Sequence, residues 1–318
     1  MNNETKIKKI IGYVLSVIIK LNFYLPHSFS YWLSLSLSHL GLFVNSKSSR
    51  TIKENIKICF PKFNLKQQKN LLTEYLYQNA LMSKETSIAW LGSEKQISNK
   101  IASITYEPFI NEILNSKNPT IIAVPHIGNW EYFWHWLQFN YPAISMYSPA
   151  KFKRIDEIML NARSQFGGCP YSTDRSGMLN IYKGLKQSKL MMILPDQAPI
   201  LGAGIYSPFF GYSAYTMTLL HRLIQKTNAQ LLFGTCLRNS DKQFDIQLFK
   251  PEFDSQTKDL ALFNLSLNEQ IENIIKTTPE QYLWNYKRFK RQPSGEEIYT
   301  ADKLRSEKYN FSNKNHDT

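Results

Sequence analysis

Cysteine is nearly absent from this chain: Cys59, Cys169 and Cys236 are the three in 318 residues. An odd count this small excludes a scaffold built on disulfides and suits a reducing compartment. No G-x-S-x-G elbow occurs, which argues against a serine hydrolase of that kind. No Walker-type phosphate loop occurs either, and the H-E-x-x-H helix of zinc proteases is missing. There is no internal repeat, no low-complexity tract and no recognisable nucleic-acid-binding motif. Acidic residues are in deficit, 25 against 38 Lys and Arg, for a formal charge of +13. That balance favours anionic partners: nucleic acid, phosphorylated lipid, an anionic membrane face or an acidic protein. A long apolar run is also lacking. Residues 10–25 come nearest, interrupted by Lys20. As a helix they would reach roughly 24 Å, short of a hydrocarbon core of about 30 Å.

What is present is a core-forming composition, 43% hydrophobic, and an aromatic content of 14% that suits contact with a lipid interface. Three segments are expected. Residues 1–46 carry Lys6, Lys8 and Lys9, the apolar run, a break at Pro26 and a second apolar stretch over 31–44 whose period fits helix or strand. No small-residue cleavage site follows, so this reads as an uncleaved membrane-associated segment with its lysines on the cytoplasmic side. A buried hairpin of core helices is the competing reading. Residues 47–293 alternate short apolar runs with helical patterns. Strands are expected at 120–124, 143–147, 190–194, 230–237 and, as an exposed edge, 244–249. Helices are expected at 50–60, 65–91, 129–139, 155–166, 178–187, 216–227 and 260–276. This predicts an α/β fold with a largely parallel central sheet flanked by helices. Residues 294–318 form a polar tail expected to be loosely ordered.

In such a fold, ligands gather at the carboxyl edge of the sheet. The segment Val124-Pro-His-Ile-Gly-Asn-Trp-Glu131 places His126 at a strand end and Glu131 at the following helix start. A carboxylate there can accept from one imidazole nitrogen and leave the other as a base toward a hydroxyl. The bland alternative is a loop histidine beside a glutamate that stabilises a helix N-terminus. Two further rivals are a metal held by His126, Glu131 and His135, and a nucleophile at Cys169 after Gly167-Gly168. Neither carries the accompanying signature of its class. Asp196-Gln197 follows the strand at 190–194, where pocket-shaping competes with ordinary turn chemistry.

Five ordered motifs resemble the late acyltransferases of lipid A biosynthesis, the lauroyl/myristoyl transferases of the lysophospholipid acyltransferase superfamily. Ser49-Arg50 with Asn55 and Cys59-Phe60-Pro61 is similar to an early signature of the family. His126 to Glu131 looks like its H-x4-D/E motif. Leu194-Pro195-Asp196-Gln197, Ser207-Pro208-Phe209-Phe210-Gly211, and Glu280-Gln281-Tyr282-Leu283-Trp284 through Arg288-Phe289-Lys290 follow in the family's order. The resemblance implies a glycerolipid acyltransferase-like fold at the cytoplasmic face of a bacterial inner membrane. It implies transfer of a fatty acyl chain from acyl carrier protein to a hydroxyl of a phosphorylated lipid A precursor. In that scheme His126 is the general base, Glu131 orients and charges it, and no acyl-enzyme forms. Arg163, Asp196 and Gln197 would bind substrate. No cofactor, metal or nucleic acid takes part. A lysophospholipid or glycolipid acceptor on the same fold is the alternative. A non-enzymatic basic membrane- or nucleic-acid-binding protein is a third reading.

Overall fold

The short, uninterrupted apolar runs become the central strands, because a strand covered on both faces has no side to leave polar. The computed structural model describes residues 3–299. Its strands are β1 (Ile101–Thr105), β2 (Thr120–Ala123), β3 (Ala143–Tyr147), β4 (Cys169–Ser172), β5 (Leu190–Ile193), β6 (Gly204–Phe209), β7 (Tyr212–Met217), β8 (Gln230–Arg238) and β9 (Phe244–Phe249). Its helices are α1 (Asn3–Tyr24), α2 (His27–Phe43), α3 (Lys47–Cys59), α4 (Leu65–Leu91), α5 (Glu94–Ser98), α6 (Pro108–Asn115), α7 (Trp130–Asn140), α8 (Lys153–Ser164), α9 (Arg175–Lys186), α10 (Leu219–Thr227) and α11 (Leu260–Thr277).

Seven strands form one sheet in the order β1-β9-β8-β2-β5-β3-β4. Every pairing is parallel except β8 with β9. β2 and β5 lie side by side at its centre, with Ala123 opposite Ile193. Alternate residues serve opposite faces, as the two-residue period of a strand requires. Ile121, Met191, Leu231 and Phe233 join Phe263, Leu267 and Ile271 of α11 in one core cluster. Ile122, Leu190, Met192 and Leu232 join Phe133, Trp136 and Leu137 of α7 in the other. The largely parallel, helix-covered sheet expected from the alternation is therefore present.

Several local expectations differ. β9 is not an edge: β1 pairs outside it. β1 has only its first residue partly covered, so it carries no alternating pattern to betray it. β4 contains Pro170 and is nowhere fully buried, which an edge position tolerates. Thr216 and Met217 belong to the antiparallel β6–β7 hairpin rather than to the helix that follows. The stretch whose period was ambiguous is helical as α2.

α1 and α2 pack on α4 and leave much of their apolar surface outside, including Ile10, Tyr13, Leu21, Trp32, Leu37 and Phe43. The buried Lys84 ties α1 down: its ammonium donates to the carbonyls of Asn22, Phe23 and Leu25 at 2.7, 2.6 and 2.8 Å. A cation there satisfies orphan carbonyls and opposes the negative helix end. No helix among the described residues is long and apolar enough to cross a membrane. At the other end Ile298 is buried and Tyr299 donates to Asn55 Oδ1 at 2.5 Å. Ordered contacts thus run past residue 294; the rest of the expected tail, 300–318, lies outside the described residues.

Candidate active site

Because β2 and β5 are adjacent, parallel and in register, the residues just beyond their carboxyl ends meet. His126 lies three residues past Ala123, and Asp196 three past Ile193. Asp196 Oδ2 accepts from the His126 backbone N–H at 3.0 Å, and Oδ1 lies 2.7 Å from Nδ1. The Asp196 carboxylate is buried. Burial disfavours its charge, but His126 beside it outweighs that and holds the carboxyl below its ordinary range. An ionised carboxylate only accepts, so in the neutral form of the imidazole it is Nδ1 that carries the proton and Nε2 the lone pair. Gln197 Nε2 sits 3.1 Å from that nitrogen, and an amide N–H can donate into it. The ring packs edge-on against Trp130, centroids 4.8 Å apart, and its side chain remains 14% exposed. A solute can therefore reach it.

The loop that carries His126 is clamped on both sides. Leu283 N donates to His126 O at 3.0 Å, and Gly128 N to Gln281 O at 3.0 Å. Asn129 N donates to Cys236 O on β8 at 2.8 Å. Gly128 has φ of 61°, and a Cβ there would lie 2.0 Å from the Cys236 carbonyl oxygen. Gly128→Ala is thus expected to destabilise by at least about 1–3 kcal/mol from backbone strain alone, with activity lost in step. A denaturant midpoint equal to wild type would contradict the clamp.

Glu131 is not the carboxylate that holds His126. It opens α7, and its carboxylate is engaged by Arg163 from the last turn of α8: Arg163 Nε donates at 3.1 Å and Nη2 at 2.5 Å. A guanidinium presents paired donors that match a carboxylate's two oxygens. Burial opposes the Glu131 charge, yet Arg163 holds its carboxyl below the ordinary range. The expected contact fails for a geometric reason. A residue on the first turn of α7 faces α8, whereas the strand-end loop faces the neighbouring strand end. The site residues named from the sequence therefore form two groups, His126–Asp196–Gln197 and Glu131–Arg163. Cys169, the rival nucleophile, lies at the amino end of edge strand β4, away from this edge. His135 is buried on α7 with Nδ1 2.9 Å from Gln138 Nε2.

Further polar residues shape the site from behind without any local signal in the sequence. Glu85 of α4 and Arg238 of β8 form a buried ion pair, with Arg238 Nε donating to Glu85 Oε1 at 2.7 Å. Asn129 Nδ2 reaches Glu85 Oε2 at 3.4 Å. Gln281 brackets Arg238, accepting from its N–H at 2.8 Å and donating to its carbonyl at 2.9 Å. Glu85 and Arg238 are 153 residues apart in sequence, so only folding joins them.

The remaining motifs converge on one another. Asn55 Nδ2 donates to the carbonyls of Trp284 and Tyr286, each at 2.7 Å. Phe60 packs against both Phe210 and Trp284, with centroids 5.4 and 5.8 Å apart. The buried Arg288 donates to Tyr215 O at 2.7 Å and Thr216 Oγ1 at 2.8 Å. Two motifs thus supply the strand-end site, and the other three build the scaffold that carries the Gln281–Leu283 clamp.

The sequence profile of the family described as bacterial lipid A biosynthesis acyltransferase matches residues 4–291. The chain belongs to that family. Similar proteins include the lipid A biosynthesis lauroyltransferase of Escherichia coli (strain K12), 23% identical over 273 residues, covering 85% of this chain and 88% of that one. The palmitoleoyltransferase of the same organism is 21% identical over 245 residues, covering 77% and 79%. Its myristoyltransferase is 24% identical over 275 residues, covering 82% and 81%. The chain is therefore an acyltransferase, and the strand-end group His126–Asp196–Gln197 is its candidate site.

The site also sets an acid limit on this acyltransferase. Burial pushes His135 down to about 4 from 6.5, against the opposing pull of Glu131. Below pH 6.5 the unfolded chain gains a proton that the folded chain refuses until about pH 4. Stability therefore falls as pH drops through that window, by about 3 kcal/mol at most. Glu131 and Asp196, both depressed, contribute stability above their unfolded values that is lost as pH falls through their folded ones. Urea midpoints at pH 7 and pH 5 should differ clearly in wild type and much less in His135→Phe. Equal slopes in both proteins would remove His135 from this account.

Proposed function

We propose that this acyltransferase moves a fatty acyl chain from acyl carrier protein to a hydroxyl of a phosphorylated lipid A precursor by direct attack. The observation that carries the reading is the in-register pairing of His126 with the buried Asp196, which engages Nδ1 and turns Nε2 away from the carboxylate on a partly exposed ring. The acceptor hydroxyl displaces the Gln197 amide from Nε2 and donates its proton there as its oxygen attacks the thioester carbonyl. The thiolate then leaves and takes that proton back from Nε2. No enzyme-bound acyl group is needed in this reading: Cys236, the cysteine beside the loop, is fully buried, and burial pushes its thiol well up, away from the thiolate a nucleophile requires. Glu131 holds Arg163, whose guanidinium supplies positive charge for a phosphate or the thioester oxygen.

The charge of +13 suits an acidic carrier protein, a phosphorylated acceptor and an anionic leaflet. The apolar outer surface of α1 and α2 suits burial at the cytoplasmic face of an inner membrane, lying in the interface rather than spanning it. The test supplies membranes containing the protein with acyl carrier protein charged with several chain lengths and a phosphorylated lipid A precursor. Mass spectrometry should find a product heavier by one acyl chain, absent with His126→Ala. No product from folded protein with any donor would sink the lipid A acceptor and direct the search to lysophospholipid or glycolipid hydroxyls.

A further inference from the structure

The loop between β5 and β6 begins with the site residues Asp196 and Gln197 and ends in a feature the chemistry does not use. The chain turns over residues 200–203, where Ala203 N donates to Ile200 O at 3.1 Å and Gly202 has φ of 85°. A positive φ at the third position is the type II form. Ile200 and Leu201, at the first two positions, are each 78% exposed. Nothing lies within 4 Å of where a Gly202 Cβ would stand, so the tip projects into open space. Outside residues 7–44, the other exposed large apolar side chains among the described residues are Leu65, Ile104, Leu179, Tyr206 and Leu262, none adjacent to another in the chain. Single exposed apolar residues are ordinary. An adjacent aliphatic pair at a turn tip forgoes about 1.5–3 kcal/mol of burial per side chain unless something covers it.

The base of this tip is held firmly. Tyr215 Oη accepts from Gly202 N at 2.9 Å and Gly204 N at 3.1 Å. Tyr286 Oη accepts from Ala198 N at 3.0 Å, and the Arg291 guanidinium donates to the Pro199 carbonyl. Cations attend these same groups. Lys290 Nζ donates to Tyr286 Oη at 3.2 Å, and Arg291 lies over the Tyr215 ring at 5.4 Å.

We propose that this tip is a lipid-surface contact: Ile200 and Leu201 enter the apolar edge of an anionic bilayer while Lys290 and Arg291 meet its phosphates. An aliphatic tip with a basic collar is the arrangement that interfacial insertion requires. Two side chains are too small an area for a protein partner, which takes on the order of 800 Å² per side. The contact is separate from the apolar faces of α1 and α2. It brings the sheet edge that bears His126 to the surface where a lipid acceptor resides, and it stands whether or not the acyl-transfer reading holds.

The test uses the full chain carrying Cys169→Ser, which leaves only the buried Cys59 and Cys236. An environment-sensitive fluorophore is attached through Leu201→Cys, or through Leu179→Cys on α9 as a control exposed elsewhere. Vesicles containing phosphatidylglycerol should raise the emission at position 201 several-fold, with quenching by spin-labelled lipid. Pure phosphatidylcholine or high salt should reduce the rise, and position 179 should stay unchanged. Unchanged emission at 201, whether or not the protein pellets with the vesicles, would overturn the proposal. So would a rise produced by acidic acyl carrier protein without lipid, which would assign the tip to a protein partner. The readout needs no turnover, so loss of the catalytic reading would leave it intact.

Discussion

His126→Ala is expected to lower acyl transfer by a factor of about 10²–10⁴, the ordinary contribution of a positioned acid–base group, in a protein that still folds but melts below wild type, because the buried Asp196 carboxylate loses its side-chain partner. The imidazole is partly exposed, so its removal costs little packing; the cost falls on Asp196, which keeps the His126 backbone N–H but loses Nδ1, so activity is compared at a temperature where both proteins are folded. Asp196→Asn should cost nearly as much by a different route. An amide at that position can donate to Nδ1, which moves the imidazole proton to Nε2 and removes the lone pair that must take the hydroxyl proton. Both variants should lower kcat more than they raise KM, because the lost interaction belongs to the reacting step. A fully active Asp196→Asn would show that the tautomer does not matter and that another group accepts the proton.

Arg163→Met should destabilise the protein by about 3–5 kcal/mol, because it strands the buried Glu131 carboxylate without its counter-ion. Glu131 is 3% exposed, and both its oxygens are engaged by Arg163. In Arg163→Met the carboxyl should rise, since burial, the largest influence on it, is then opposed only by His135 and the Trp90 indole. Glu131→Met combined with Arg163→Met should recover most of the loss, as an apolar pair of similar volume packs without desolvating a charge. Denaturant midpoints of the three proteins decide this; equal midpoints for Arg163→Met and wild type would show that the pair is not closed in solution. Activity of the double variant then separates two roles. A folded, active double variant makes the ion pair purely a brace between α7 and α8. A folded, inactive one makes Arg163 a group that acts on substrate.

The two experiments bear on different kinds of information. That TIIA and LMMI are buried strands follows from their continuous apolar character. That polar residues after them mark a ligand edge follows from the parallel α/β alternation. His126, Asp196 and Gln197 were reachable that way, as was the helix from Leu65 to Leu91, which has no internal breaker and a capping box at Asn64 and Gln67. The weak strands were not: β1 is exposed along most of its length and β4 holds a proline, so their order comes from the neighbours they pair with. Local spacing likewise misassigned the partner of His126. Glu131 is five residues away in the chain, yet Asp196, 70 residues away, holds the imidazole.

Apolar runs thus suffice for the fold class, because it depends on local propensity and periodicity, and the order of the motifs carries the likeness to the family. Which carboxylate holds His126, which one is locked to Arg163, and where Glu85 meets Arg238 depend on strand order and helix facing. Those are set only when the chain packs, since hydrogen bonds and ion pairs reach a few ångströms in space and take no account of separation along the sequence.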